Sequence, residues 1–135
     1  MEQEEKQILF VCIENSGRSQ MAQAFAEKYG LKATSAGTAP LSRVNPSVIQ
    51  AMKEKGIDLS INIPKVLTPE MINHAGLVIT MSCSIGSVLP KPKLAQMEKK
   101  LINWDLSDPK GKSLPRVRKI RDEIETRVLE LRKSK

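Results

Sequence analysis

Apolar and polar positions along this chain form blocks whose lengths predict strands and helices in turn. Residues 7–13 are QILFVCI and residues 76–81 are GLVITM, and unbroken apolar runs of this length are typical of strands buried on both faces of a parallel sheet. The segments KATSAG (32–37) and LINWDL (101–106) predict two shorter strands. The pattern therefore predicts four strands.

Helical spacing dominates the segments between these strands. In RSQMAQAFAEKYG (18–30) the apolar residues recur at helical intervals, and a glycine ends the run. The segments 45–56 and 68–75 each begin with a capping residue, Asn or Thr, followed by proline, which suits the first helical position. From residue 114 to residue 131, apolar residues advance by three or four and predict one long amphipathic helix.

The alternation of strands and helices predicts the fold class. It indicates βαβ units, and hence an α/β fold in which helices cover both faces of a parallel sheet. The sequence shows no internal repeat or linker, so we expect residues 1–135 to form a single domain. Ligands of such sheets bind beyond the carboxyl ends of the strands. We therefore expect a site in the loop after the first strand.

That loop carries the most informative motif, in which five residues separate Cys12 from Arg18 and Ser19 follows. A tight loop would bring successive backbone N–H groups together, and the next helix adds its free N–H groups and the positive end of its dipole. The Arg18 guanidinium matches two oxygens of a tetrahedral anion. The motif predicts a cradle for phosphate, or for arsenate, which has nearly the same shape and charge.

Cys12 lies at the base of the predicted cradle, where the positive field favours the nucleophilic thiolate. Ser19 can donate a hydrogen bond to that thiolate, and Asn15 suits a left-handed turn and can tie the loop with its amide. The predicted substrate-binding residues are Ile13, Glu14, Asn15, Ser16, Gly17 and Ser19. The alternative is a buried cysteine beside an unrelated arginine. We favour the cradle because the motif stands between an apolar strand and an amphipathic helix.

A leaving group needs a proton, and Asp108 in NWDLSDPKG is the candidate donor. Pro109 restrains this polar turn, and a bound dianion nearby would favour the protonated carboxyl that a general acid requires. Asp105 competes for the role. Local sequence alone is equally consistent with an ordinary turn aspartate, so the assignment depends on the pairing with Cys12 and Arg18.

Composition and charge exclude several classes of protein. No apolar run approaches the ~20 residues of a membrane span, and the acidic start lacks the layout of a signal peptide. Two cysteines, Cys12 and Cys83, are too few for a disulfide scaffold and lack metal-ligand spacing. The net charge is +7, but no aromatic residues alternate with the basic ones, so the charge does not favour nucleic-acid binding. We expect a cytoplasmic protein without membrane, nucleic-acid or metal partners.

Several segments together resemble one known family. These are VCIENSGRSQMAQAF (11–25), SAG (35–37), VITMSC (78–83) and WDLSDP (104–109). They are similar to the low-molecular-weight protein tyrosine phosphatase superfamily and, with VRKIRDEIETRV (117–128), to its arsenate reductase branch. The resemblance implies a four-stranded parallel sheet flanked by helices and no metal or organic cofactor.

The resemblance also implies a mechanism. Cys12 attacks the substrate, the loop and Arg18 bind its oxyanion, and Asp108 donates a proton. In phosphatases of the family, water then hydrolyses a phosphocysteine. In the reductase branch a second cysteine attacks the first, and Cys83 occupies that place in this sequence. Its alternative role is that of a small apolar residue closing a strand.

The sequence departs from the reductase branch in its thiols. That branch often has a further cysteine at the position of Ser87, and many relatives have one at the position of Gly17. Serine cannot take part in thiol–disulfide exchange, which argues against a three-thiol relay. A two-thiol route through Cys12 and Cys83, with thioredoxin, glutaredoxin or a small thiol as reductant, remains the alternative.

The leading prediction is therefore a cysteine-dependent phosphatase that hydrolyses phosphomonoesters. Its substrate would be a phosphorylated protein or a small phosphoester or oxyanion. Aromatic residues, which usually flank phosphotyrosine sites in this family, make up only 3% of the chain. This favours small phosphoesters or a bare oxyanion over phosphotyrosine. The alternative prediction is an arsenate reductase with the same nucleophile.

Overall fold

The computed structural model describes residues 7–81 and 100–133. Eight elements follow one another in them: β1 (Gln7–Cys12), α1 (Arg18–Lys28), β2 (Ala33–Gly37), α2 (Pro46–Lys53), α3 (Pro69–His74), β3 (Ala75–Thr80), β4 (Leu101–Asn103) and α4 (Leu114–Lys133). The predicted α/β class is confirmed.

The four strands form one sheet in the order β2-β1-β3-β4, and every neighbouring pair is parallel. β1 is therefore an inner strand, and its last residue, Cys12, lies opposite Gly37 at the end of β2. The carboxyl ends of these two strands reach the same edge of the sheet, which is where the predicted site was expected.

Side chains of β1 alternate between two apolar clusters, one on each face of the sheet. Ile8, Phe10 and Cys12 pack with buried residues of α1, α2 and α4, whereas Leu9 and Val11 pack with Ile72 of α3. All five of these β1 side chains are almost fully buried. The sheet is thus covered by helices on both faces, as the unbroken apolar run predicts.

Side-chain caps begin two of the helices, whereas a third helix, α1, begins without one. Asn45 accepts a hydrogen bond from the N–H of Ser47, and Thr68 accepts one from the N–H of Met71, as their capping pattern predicts. α1 begins after Gly17, which provides no side-chain cap. The first N–H groups of α1 are therefore left for another acceptor.

The fourth strand is shorter than the segment 101–106 predicted from sequence. β4 ends at Asn103 because its partner Thr80 is the last residue of β3. One more bond follows, from the Trp104 N–H to the Thr80 carbonyl, and the chain then leaves the sheet. Trp104 and Leu106 are nevertheless buried, which accounts for the strand-like alternation of the sequence. In the described ranges, no helix has both the length and the apolar character needed to cross a bilayer.

Candidate active site

A small cleft opens at the carboxyl ends of β1 and β2. It is lined by residues 12–18 except Asn15, by Asn45, and by residues 108–110. Its volume is about 70 Å³, room for on the order of five water molecules, so a five-atom tetrahedral anion fits. Cys12, Arg18 and Asp108, which are far apart in sequence, therefore line one cavity.

The loop from Cys12 to Arg18 wraps around this cavity. It turns at Asn15, which adopts the left-handed backbone conformation with φ 51°. The N–H of Asn15 donates to Cys12 Sγ at 3.2 Å. Four backbone N–H groups of this stretch donate to no acceptor within residues 7–81 and 100–133. They belong to Glu14, Ser16, Gly17 and Arg18. The loop and the uncapped start of α1 thus form a nest of free donors suited to an oxyanion.

A directed hydrogen-bond chain ends on the Cys12 sulfur. Ser19 Oγ lies 2.8 Å from Cys12 Sγ. The same hydroxyl oxygen accepts a bond from Asn15 Nδ2 at 2.7 Å, which leaves its own hydrogen available for the sulfur. Ser19 and Asn15 lie behind the cleft rather than lining it. Their contacts are with the Cys12 sulfur and with the loop, as the sequence suggests for a serine that donates to the thiolate and an asparagine that ties the loop.

The Asn15 side chain is itself fixed from several directions. Its Nδ2 also donates to Ser35 Oγ at 3.1 Å, and its Oδ1 accepts from the Lys65 N–H at 2.9 Å and from Gln20 Nε2 at 3.1 Å. Gln20 also bonds the Asn15 carbonyl, and it is buried. The sequence does not indicate these three partners, because their bonds to Asn15 depend on how β2, α1 and residue 65 meet in space.

Gly37 leaves no space for a side chain next to the loop. A Cβ atom there would lie 2.6 Å from the Ile13 carbonyl oxygen and 2.9 Å from the Asn15 nitrogen. Both contacts are with backbone, which cannot swing aside as a side chain can. The glycine of the SAG segment thus lets the loop pack against β2.

Arg18 contributes a buried positive charge to the cleft, with a residue exposure of only 6%. Its Nη1 donates to the Leu106 carbonyl at 3.0 Å, and its Nη2 lies 3.8 Å from Asp108 Oδ2. Contacts with residues 104–113 therefore fix the position of the guanidinium, and Arg18 still lines the cleft. A fixed guanidinium can bind two oxygens of a tetrahedral anion without reorganising.

Asp108 lies at the mouth of the cleft. Its side chain is 55% exposed, and its Oδ1 accepts a hydrogen bond from the Lys110 N–H at 3.0 Å. Asp105 does not line the cleft. Of the two aspartates considered from sequence, Asp108 is the one beside Cys12 and Arg18, and its exposure allows proton exchange with water.

Two further rim positions complete the site. Ile13 is 44% exposed beside the cleft. The Glu14 carboxylate extends across the mouth to Lys110 Nζ, with 2.9 Å between Oε2 and Nζ. Cys83, the predicted redox partner, lies outside the described residues. Among those described, no group of three or more His, Cys, Asp or Glu side chains could hold a metal ion.

The comparison with protein families agrees with this geometry. The model of the low molecular weight phosphotyrosine protein phosphatase family matches residues 7–134. The chain belongs to this family. The matched range includes every residue that lines the cleft, and the resemblance noted from the sequence is confirmed.

Members of the family that resemble this chain differ in activity. An arsenate reductase of Brevibacillus brevis is 37% identical over 125 residues, covering 91% of each chain. The YwlE arginine phosphatase of Geobacillus stearothermophilus is 28% identical with a TM-score of 0.82, covering 96% of this chain and 92% of that one. A thioredoxin-dependent arsenate reductase of Corynebacterium glutamicum is 35% identical with a TM-score of 0.77, covering 96% and 61%. Family membership thus establishes an enzyme of this group, with hydrolase and reductase relatives.

Proposed function

We propose that the protein is a cysteine-dependent phosphatase that hydrolyses phosphomonoesters through a phosphocysteine on Cys12. Arg18 and the loop N–H groups bind the phosphoryl oxygens, and Asp108 is the general acid. The observation that carries the proposal is the convergence of Cys12, Arg18 and Asp108 on one cleft of about 70 Å³. We also propose that residues 1–135 act as one domain in the cytoplasm, where a reducing environment keeps the Cys12 thiol free.

The proposed first step is attack of the Cys12 thiolate on phosphorus. An S–P bond forms and the P–O bond to the leaving group breaks, while Asp108 delivers its proton to the departing oxygen. The Ser19 hydroxyl stabilises the thiolate before attack, since its hydrogen is directed at the sulfur. The N–H groups of the loop stabilise the negative charge on the transferring phosphoryl group.

The proposed second step regenerates the enzyme. Water attacks phosphorus, the carboxylate of Asp108 accepts a proton from it, and the S–P bond breaks to release inorganic phosphate and the Cys12 thiolate. Atoms and electrons balance without any external reductant. This closed cycle uses only described residues that line the cleft or lie directly behind it, which is why we rank hydrolysis first.

The test compares three single variants on aryl phosphates. Cys12→Ser should abolish turnover, and Asp108→Ala should lower it about a hundredfold, the lower end for general acid catalysis. Asp108→Ala should still bind inorganic phosphate, because the cradle is intact. Asp105→Ala, three residues away and outside the cleft, is the matched control and should behave as wild type. Full activity in Cys12→Ser would refute the proposal.

The second candidate is an arsenate reductase, which is favoured by the names of relatives that are 35–37% identical to this chain. The Cys12 thiolate would form an As–S bond while an arsenate hydroxyl takes the Asp108 proton and leaves as water, and the Cys83 thiolate would then attack the Cys12 sulfur. An S–S bond forms, and the As–S electron pair passes to arsenic, which leaves as arsenite. A small thiol, thioredoxin or glutaredoxin then reduces the disulfide.

Replacing Cys83 separates the two candidates. If Cys83→Ser abolishes thiol-dependent arsenate reduction but leaves aryl phosphate hydrolysis unchanged, Cys83 is the redox partner and reductase activity is genuine. If both rates equal those of wild type, Cys83 takes no part in the relay. Both assays are run on one preparation with each reductant in turn.

A further inference from the structure

Lys110 makes two contacts that link the catalytic aspartate to the cradle. Its backbone N–H donates to Asp108 Oδ1 at 3.0 Å, and its ammonium donates to Glu14 Oε2 at 2.9 Å. Glu14 belongs to the loop that wraps around the cavity, whereas Lys110 belongs to residues 104–113, the segment between β4 and α4. One residue therefore holds the Asp108 carboxylate with its main chain and the cradle with its side chain.

The remaining contacts between residues 104–113 and the cradle involve Arg18 and Gly17, and one of them is the 3.8 Å approach of Arg18 Nη2 to Asp108 Oδ2. Arg18 bonds the Leu106 carbonyl, and Gly17 packs so closely under Pro109 that a Cβ at position 17 would come within 2.9 Å of the proline Cγ. These contacts hold the segment before and at Pro109. Lys110 adds an attachment one residue beyond Pro109, at the mouth of the cleft, through its side chain to Glu14.

We propose that Glu14 and Lys110 are positioning residues whose ion pair across the mouth of the cleft holds Asp108 where it can protonate the leaving group. The inference rests on the proposed phosphatase function. It assigns roles to two side chains that act through Asp108, without contact with the reacting atoms.

The pair is suited to a local effect rather than to overall stability. The Lys110 side chain is 61% exposed and that of Glu14 is 25% exposed, and such surface pairs contribute little to folding. Glu14 raises the pKa of the Lys110 ammonium, so the lysine keeps its charge over the working range of pH. Because the pair is exposed, added salt should screen it, and most effectively when the Debye length has fallen well below the roughly 10 Å that it has at 0.1 M.

A different role for Lys110 would be to attract anionic substrates as part of a basic rim. In that case Lys110→Met would lower kcat/KM equally for all aryl phosphates. Glu14→Gln would raise it, because the lysine would be freed from its partner. A positioning role predicts that both variants lower kcat/KM, and most strongly for substrates whose leaving group needs a proton.

The experiment measures kcat/KM for Glu14→Gln, Lys110→Met and the double variant on two aryl phosphates. Phenyl phosphate has a poor leaving group that depends on the acid, and 2,4-dinitrophenyl phosphate has a good one that does not. We expect each single variant to lose about threefold on phenyl phosphate, the scale of an exposed ion pair, and little on the dinitrophenyl ester. The double variant should lose no more than either single one, because both changes break the same contact.

Two matched controls change the same charges elsewhere. Lys112→Met removes a lysine two residues away that lies outside the cleft, and Glu70→Gln removes an exposed carboxylate on α3. Both should match wild type on both substrates. Adding 0.5 M salt should lower the wild-type rate on phenyl phosphate toward that of the variants.

The outcomes separate the inference from the function beneath it. Equal losses on both esters, or a gain for Glu14→Gln, would overturn the positioning role while Cys12-dependent turnover by the wild type upheld the phosphatase. Absence of any Cys12-dependent turnover by the wild type would overturn both. Additive losses in the double variant would also count against a single shared contact.

Discussion

At the scale of single residues, Asn15 shapes the cradle through both its backbone and its side chain. Its backbone provides the left-handed turn, its N–H bonds the Cys12 sulfur, and its amide bonds Ser19 and Ser35. All of these groups are buried, so removing the Asn15 amide would take from Ser19 and Ser35 a hydrogen bond that water could not readily replace. One short side chain thus combines the turn with the orientation of the nucleophile.

Substitutions at Asn15 can separate its backbone role from its amide role. Asn15→Gly keeps easy access to positive φ, whereas Asn15→Ala adds a cost of roughly 1–2 kcal/mol for the left-handed conformation. We expect both variants to lose at least tenfold in kcat/KM, because both lose the amide. Denaturant unfolding should find Asn15→Ala the less stable of the two by about 1 kcal/mol. Wild-type activity in Asn15→Gly would show that the amide is dispensable.

Some residue-scale features could be predicted from the sequence, and others could not. The Cys12, Arg18 and Ser19 motif and the left-handed tendency of Asn15 are local properties, visible from spacing and residue type. The tight contact of Gly37 with the Ile13 carbonyl depends on how two strands end side by side. A short sequence window carries no signal for such a contact.

At the scale of elements, α2 and α4 are joined by a cluster of charges. Glu54, at the end of α2, accepts hydrogen bonds from Arg118 and Arg121 of α4. Arg121 is largely buried and also donates to the Ala51 carbonyl, so it caps α2 as well. The apolar periodicity of residues 114–131 predicts α4 correctly, but it does not indicate which neighbour its charged residues contact.

The Glu54 cluster predicts an acid-sensitive contribution to stability. Hydrogen bonds from Arg118 and then Arg121 lower the pKa of Glu54 from 4.5 to about 2. A lowered folded-state pKa gives stability that is fully present above pH 4.5 and is lost as the pH falls toward 2. Thermal midpoints of wild type and Glu54→Gln should therefore differ at pH 7 and converge by pH 2.

The matched control for this prediction is Glu70→Gln, an exposed carboxylate on α3. Its midpoint should track that of wild type throughout the titration. A difference between wild type and Glu54→Gln that stays constant from pH 7 to pH 2 would contradict the assignment, because it would then not depend on the charge of Glu54.

At the scale of the whole molecule, the sheet order explains why the site could be located in advance. Parallel strands bring the ends of β1 and β2 to one edge, and the unbroken apolar runs predict such a sheet. Two things could not be predicted. The length of β4 depends on where β3 ends, and the docking of residues 104–113 depends on contacts with Arg18, Gly17 and Glu14.

Ligand binding should stabilise the whole fold, since the cradle exists only in the folded chain. Inorganic phosphate at a hundred times its dissociation constant should add about 2.7 kcal/mol to the free energy of unfolding. Thermal midpoints should therefore rise with phosphate concentration. Arg18→Lys should reduce this rise, because lysine lacks the two-pronged guanidinium. Arg116→Lys, an exposed control on α4, should keep the full rise.

The uncapped start of α1 has a kinetic consequence. Under the proposed function, the same free backbone N–H groups bind both the phosphoester substrate and the inorganic phosphate product. The two ligands differ only in the group attached to the fourth oxygen. Release of the product must then compete with the affinity that draws in the reactant. Cellular orthophosphate would therefore inhibit turnover as a competing product, and the inhibition would increase with its concentration.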